Sequence, residues 1–298
     1  MELRVDPLRG HVSLVSEARK KRPKVFRRQG CPFCRGSEHQ TPPGKALLPG
    51  GRRIVERGDE RASGWLARIF PNKYPALVPN PSSTPRPPAK PAEGLHLVAV
   101  ETWRHVADPH MIPLGEYREA LSFILDECRA AMRSYGYLVL FKNRGRLVGA
   151  SIEHCHMQIV AMKEPPPLEK TWAREAWRDR CPLCSYIAWE AEAGERVLEE
   201  RDGLLLVEYW APRQPHHMLI APLRHEEYPS QRSIEPLALL VREATRILVE
   251  ELGVENYNFA YRFKPLGART WHWHLEILPY TQTWGGLERN TYAYIVEA

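Results

Sequence analysis

The amino-acid sequence predicts a mixed helix-and-strand protein made of two like halves, and three observations carry that prediction. Its 298 residues suit two domains at roughly 100–200 residues each. Each half opens near a Cys-x-x-Cys pair, Cys31-Pro-Phe-Cys34 and Cys181-Pro-Leu-Cys184. Each also ends near a His-x-His strand, His154-Cys155-His156 and His272-Trp273-His274. Pro165-Pro166-Pro167 follows a strongly apolar segment and marks the boundary, giving halves 1–165 and 166–298.

The elements run in parallel. In the first half Leu121, Ile124, Leu125 and Cys128 recur at helical spacing, the helix stops by Gly136, and Tyr137 to Phe141 reads as a buried strand. In the second, Ser233 and Pro236 open a helix whose apolar face carries Leu237, Leu240, Val241, Ala244, Ile247 and Leu248 and which ends at Gly253. Tyr257 to Phe263 and Trp271 to Leu278 follow as strands around a turn at Gly267. The proline-rich stretch from Pro79 to Pro91 has no apolar periodicity and reads as a loop.

Composition bounds the function. With 43% hydrophobic and 26% charged residues the chain is neither disordered nor collagen-like. Its longest apolar runs, Tyr137 to Phe141 and Leu237 to Val241, fall far short of the roughly 20 residues of a membrane helix. The charged N-terminus lacks a secretory signal, so a cytoplasmic setting is expected, with its six cysteines reduced. A net charge of +6 suits nucleic acid or a small polyanion equally.

Alternation along a strand places His154, His156 and Gln158 on one face, with Cys155, Met157 and Ile159 packed behind. The second strand repeats this with His272, His274 and Glu276 in front and Trp273, Leu275 and Ile277 behind. A lone strand histidine is usually a satisfied half-buried polar group; two matching His-x-His strands favour chemistry. A further histidine precedes each, His105 by 49 residues and His225 by 47. Zinc takes four Cys or His ligands in closed structural sites, so Cys31, Cys34, His105 and His154 form one proposed set and Cys181, Cys184, His225 and His272 the other. His39, His216 and His217 remain rival ligands. A redox dithiol is the alternative for each pair, but that motif belongs at the start of a helix in a thioredoxin-like unit, and neither pair sits in such a pattern.

With His154 held by metal, His156 is free on the same face as Gln158. A neutral imidazole with its other nitrogen fixed is a competent nucleophile toward phosphorus, and a glutamine amide can donate to a phosphoryl oxygen as charge develops. The segment from Asn143 to Ser151, with Gly145 and Gly149, can cradle a phosphate through backbone N–H groups and the Ser151 hydroxyl.

The run Asn143-x-Gly145-x-x-x-Gly149-x-Ser151-x-x-His154-x-His156-x-Gln158 resembles the active-site signature of the galactose-1-phosphate uridylyltransferases, the transferase branch of the histidine triad superfamily. Similar family segments occur from Asp6 to Pro23, from Phe70 to Leu77 and from Glu101 to His105, and Gly285-Gly286-Leu287-Glu288 resembles the hexose-contacting loop. The resemblance implies an α+β fold of two tandem histidine-triad-like halves, each an antiparallel sheet with packed helices. It implies a ping-pong reaction in which His156 attacks the α-phosphorus of UDP-glucose and the uridylyl group passes to galactose 1-phosphate. Arg19, Arg22, Gln158 and Ser151 would hold phosphoryl oxygens. Phe70, Asn72, Asn143 and Gly149 would border the nucleoside, and Glu288 would bond sugar hydroxyls across a homodimer. Cys181-x-x-Cys184 resembles the two-zinc relatives, some of which act on ADP-sugars, so an ADP-sugar phosphorylase is the alternative enzyme. A zinc-bearing nucleic-acid-binding protein is a distant reading, and no nucleic-acid or membrane partner is expected.

Overall fold

The computed structural model describes residues 2–7, 11–15, 30–82, 85–175 and 180–297. In chain order the strands are β1 (Glu2–Val5), β2 (Val12–Val15), β3 (Lys45–Leu47), β4 (Arg53–Val55), β5 (Ala67–Pro71), β6 (Lys90–Pro91), β7 (Gly94–Val100), β8 (Tyr137–Arg144), β9 (His156–Met162), β10 (Val197–Arg201), β11 (Leu204–Glu208), β12 (Met218–Pro222), β13 (Tyr257–Arg262) and β14 (His274–Pro279). The helices are α1 (Leu114–Met132), α2 (Pro167–Glu175), α3 (Pro182–Ala193), α4 (Ile234–Arg246) and α5 (Gly286–Thr291).

Among the described residues each half is an antiparallel sheet with packed helices, and the two sheets are joined. Eleven strands form one sheet in the order β10-β11-β12-β14-β13-β8-β9-β7-β5-β3-β4. The seam is the antiparallel pair β13–β8, in register from Tyr257 opposite Arg144 to Arg262 opposite Val139. A small second sheet joins β2, β1 and β6, so the end of the proline-rich stretch is a strand rather than loop.

Strand alternation sorts side chains to two faces. Leu97 and Ala99 of β7, Met157, Ile159 and Ala161 of β9, and Leu275 and Ile277 of β14 face α1 and α4 in one core shared by both halves. On the other face Phe33, Trp65, Phe70, Val98 and Val100 form a second cluster in the first half, and Leu183, Ile187, Leu205, Val207 and Trp271 a third in the second. Cys155 and Trp273 lie behind their His-x-His segments as the pattern requires. The ladders start later than the sequence predicts, at His156 and His274 rather than upstream of His154 and at Trp271. The preceding residues turn instead toward the cysteine pairs. α4 continues through a π-helical turn, Ile247–Glu251, before Gly253.

Because the first core crosses the seam, both halves should unfold together. Leu140→Ala removes a fully buried side chain beside the seam; a loss of about 2–5 kcal/mol is expected. Denaturant unfolding followed by tryptophan fluorescence and by far-ultraviolet ellipticity should show one coincident transition at lower midpoint.

Candidate active site and metal centres

The chain from His154 to Gln158 is built as a relay of fixed nitrogens. His154 Nε2 lies 2.8 Å from the Thr102 carbonyl, to which it donates, so the Nδ1 lone pair faces outward. Burial is the largest influence on this imidazole and pushes it down to about 4, keeping it neutral. Its Nδ1 stands 3.6 Å from both Cys31 Sγ and Cys34 Sγ, and Cys34 Sγ stands 3.3 Å from His105 Nδ1. The second half repeats the set: His272 Nδ1 is 3.7 Å from Cys181 Sγ and 3.4 Å from Cys184 Sγ, which is 3.3 Å from His225 Nδ1. Within each set all four donor atoms lie within 4.8 Å of one another, so each group can hold a metal ion with all four donors from protein. His39, His216 and His217 belong to neither set.

One expectation fails. Cys181 is the N-cap of α3, its Sγ accepting from Cys184 N at 3.4 Å, so the second pair does open a helix. The argument against a dithiol is instead that both sulfurs converge on His272 and His225.

His156 donates from Nδ1 to the His154 carbonyl at 2.7 Å, which puts the ring's lone pair on Nε2. His274 makes the same bond to the His272 carbonyl at 3.0 Å. His156 and Gln158 line a cavity of about 430 Å³. Phe70, Asn72 and Ser151 line it too. Asn143 borders a narrow recess beside His156, and Gly149 lies next to it, where an added Cβ would come within 3.7 Å of Asn143 Nδ2. Arg19 and Arg22 lie outside the described residues. Glu288 lies outside the cavity lining; its carboxylate accepts from Gly285 N at 2.8 Å and Ile295 N at 3.4 Å.

Several residues that the sequence reading passed over complete the site. Phe33 sits edge-on to His156 at 5.1 Å between ring centres, and His39, Gln40 and Thr41 form a polar wall. That wall is anchored by the buried pair Arg68–Glu56, Arg68 also donating to Thr41 Oγ1 at 3.1 Å. His96 of β7 stands 2.9 Å from Gln158 Oε1 and 3.0 Å from Asn72 Nδ2. Beneath the strand, fully buried Lys142 is paired with Glu101 and donates to the His156 carbonyl at 3.3 Å. From the second half, Asn258 donates to Asn143 Oδ1 at 2.8 Å and Asn256 Oδ1 accepts from Leu147 N at 3.1 Å. Gly145, at φ 89°, is required here: a Cβ would fall 2.2 Å from Asn256 Oδ1. A histidine in a strand otherwise as apolar as Gly94–Val100 was the available signal for His96.

Where Gln158 stands in the first half, the second carries Glu276, engaged by Arg213 at 3.1 Å and Arg262 at 3.2 Å. Its position facing His274 is therefore taken up by ion pairs.

Comparison with known proteins agrees with this geometry. Residues 100–165 match the family model described as the N-terminal domain of a domain of unknown function, DUF4931. The chain is 26% identical to an ADP-glucose phosphorylase of Arabidopsis thaliana, over 99% of this chain and 88% of that protein. The solved structure of an ADP-glucose phosphorylase from that organism with bound ADP-glucose superposes with a TM-score of 0.73, at 26% identity over 99% of this chain and 94% of that one. The chain is 30% identical to a galactose-1-phosphate uridylyltransferase of Thermotoga maritima, over 76% of this chain and 67% of that protein. A solved uridylyltransferase structure has a TM-score of 0.80 and 25% identity, covering 100% of this chain and 94% of the other.

The Glu276 cluster has a pH consequence. Burial raises its carboxyl, but Arg262 and Arg213 outweigh that and hold it at about 2. A folded-state value below the unfolded one stabilises above the ordinary carboxylate range and is lost as pH falls toward 2. Stability should therefore decline across that window, and Glu276→Gln should flatten part of the decline in unfolding midpoints measured against pH.

Proposed function

The chain belongs to the galactose-1-phosphate uridylyltransferase family of the histidine triad superfamily, an enzyme of the nucleotidyltransferase or phosphorylase kind, and from that premise we propose that it transfers uridylyl from UDP-glucose to galactose 1-phosphate through a uridylyl-His156 intermediate. The observation that carries the reading is the His156 ring, tied at Nδ1 to the His154 carbonyl and lining a cavity that also holds the Gln158 amide.

In the first step the Nε2 lone pair forms a bond to the α-phosphorus, and the bond to the bridging oxygen breaks, releasing glucose 1-phosphate. Positive charge then on the imidazole is stabilised through the Nδ1–H bond to the His154 carbonyl. Gln158 and Ser151 donate to the phosphoryl oxygens, a preorganised contribution of the kind that dominates such barriers. In the second step a phosphate oxygen of galactose 1-phosphate attacks the same phosphorus from the vacated side, and Nε2 departs as neutral imidazole. Phe33 and Phe70 offer the nucleoside apolar faces, with Asn72 and Asn143 as polar contacts.

Both four-donor sets fit zinc. With bonds of about 2.3 Å to sulfur and 2.0–2.1 Å to nitrogen, a tetrahedron has S···N edges of about 3.5 Å; three such separations in each set run from 3.3 to 3.7 Å, and all four donors lie within 4.8 Å of one another. Zinc held by Cys31, Cys34, His105 and His154, and by Cys181, Cys184, His225 and His272, would clamp the start of each His-x-His segment. We assign the enzyme to the cytoplasm as a homodimer in which Glu288 serves the other protomer's sugar.

A second reading, an ADP-sugar phosphorylase with the same covalent His156 step, is favoured by one observation. Glu288 is buried and its two oxygens accept from Gly285 N and Ile295 N, which ties the carboxylate to its own loop more than to a sugar. Incubation with UDP-glucose or ADP-glucose labelled at the α-phosphate separates the two: label retained from UDP-glucose and discharged by galactose 1-phosphate supports the first, and label from ADP-glucose discharged by inorganic phosphate supports the second. His156→Gly should abolish labelling while metal content is retained. Elemental analysis should find two zinc ions per chain, and Cys31→Ser should lose one of them.

A further inference from the structure

Gln158 is useful to a phosphoryl group only in one of two orientations. With Nε2 toward the phosphate it donates; turned over, it presents a carbonyl oxygen to an anion and repels it. The two ends of an amide have nearly the same shape, so packing alone cannot choose between them. The choice must come from a neighbour whose hydrogen-bonding character is itself fixed.

His96 is that neighbour. Its Nδ1 lies 2.9 Å from the backbone nitrogen of Ala76. A backbone N–H can only donate, so Nδ1 must accept and carries no proton. An imidazole with neither nitrogen protonated would be an anion, so Nε2 carries the hydrogen. That Nε2 is 2.9 Å from Gln158 Oε1. Asn72 Nδ2 lies 3.0 Å from the same nitrogen, but Asn72 Oδ1 accepts from Tyr74 N at 2.8 Å, so this Nδ2 is a second donor and Gln158 Oε1 is the acceptor that the Nε2–H meets. The chain of constraint thus runs from a backbone amide, through a buried ring, to the polarity of the Gln158 side chain.

The duplicated half supplies an internal comparison. Val98 pairs with Gln158 and Leu219 pairs with Glu276, so His96 and His217, each two residues earlier, occupy matching positions. In the second half the residue matching Gln158 is Glu276, whose two oxygens are alike and which is engaged by Arg213 and Arg262. No orientation needs choosing there. Only in the half with the open cavity does the histidine face an amide.

We propose that His96 is a positioning residue for nucleotidyl transfer: through its Nε2–H it locks the Gln158 amide with the NH₂ group toward the reacting phosphate. The inference rests on the covalent His156 reading above and goes beyond it.

Two substitutions divide the functions of the ring. In His96→Asn the side-chain oxygen can stand near the position of Nδ1 and keep the Ala76 bond, while the donor to Gln158 is lost. In His96→Gln the amide nitrogen can stand near the position of Nε2 and keep that donor, while the Ala76 bond is lost. The measurement is the single-turnover rate of nucleotidyl-His156 formation from labelled UDP-glucose, or from ADP-glucose if that sugar is the one that labels the wild type. It is taken in the wild-type and Gln158→Ala backgrounds, with substrate affinity and thermal midpoint determined alongside.

His96→Asn should slow labelling by about tenfold or more, up to the ~10²–10³ that losing a preorganised donor costs, with affinity changed far less. His96→Gln should recover most of the rate, although it forfeits the Ala76 bond. In the Gln158→Ala background His96→Asn should cost nothing further, because its effect passes through the missing amide. The proposal is overturned if His96→Asn labels at the wild-type rate, if His96→Gln is the slower variant, or if His96→Asn slows both backgrounds equally. A wild type that takes no label from either sugar would instead remove the covalent reading itself.

Discussion

The antiparallel pairing of β8 with β13 is the constraint on which the rest of the molecule depends. It runs from Tyr257 opposite Arg144 to Arg262 opposite Val139 and turns two sheets into one. Its first consequence is a shared core, since α1 and α4 cover the same face and pack against each other. Its second reaches the active site. Asn258 holds Asn143, and Asn256 accepts from Leu147 in the turn after β8. Arg144, at the end of the seam, pairs with buried Asp108, which also accepts from Tyr257 Oη at 2.8 Å. The second half therefore buttresses the turn after β8 of the first.

Duplication preserved the clamp and let the chemistry diverge. Both halves keep a Cys2His2 set, and in both the central histidine of the pattern gives its Nδ1–H to the carbonyl two residues back. What differs is what stands in front and beneath. In front, Gln158 is an amide in an open cavity, whereas Glu276 is engaged by two arginines. Beneath, the register aligns Lys142 with Tyr261 and Glu101 with Pro222, so the buried ion pair belongs to the catalytic half alone. Buried ion pairs contribute little net stability over packed apolar groups. The second half folds the same way without one, so stability of the fold does not call for Lys142 and Glu101.

Much of the site was legible because it obeys local periodicities. The period of two along a strand is enough to place His154, His156 and Gln158 together and Cys155 behind them. The near-equal spacing of His105 and His225 ahead of the His-x-His pairs carries both ligand sets. His96 was harder: one histidine in an apolar strand has no repeat of its own, and its role depends on which atoms of Gln158 and Ala76 it meets. Asn256 and Asn258 were harder still, because they act across the seam on residues more than 100 positions away. The helix start at Cys181 was misjudged because a cysteine pair followed by few helical signals does not by itself announce an N-cap.

The sequence by itself carried the repeated Cys-x-x-Cys and His-x-His motifs, the place of His156 and Gln158 on one face, and the eight residues of the two Cys2His2 groups, since each is set by residue type at regular spacing. Only the tertiary structure decided which nitrogen of His156 holds the proton, that His96 stands against the Gln158 side chain, and that Glu276 is already engaged. Those are properties of hydrogen bonds between segments far apart in the chain, and no local pattern encodes the partner at the other end.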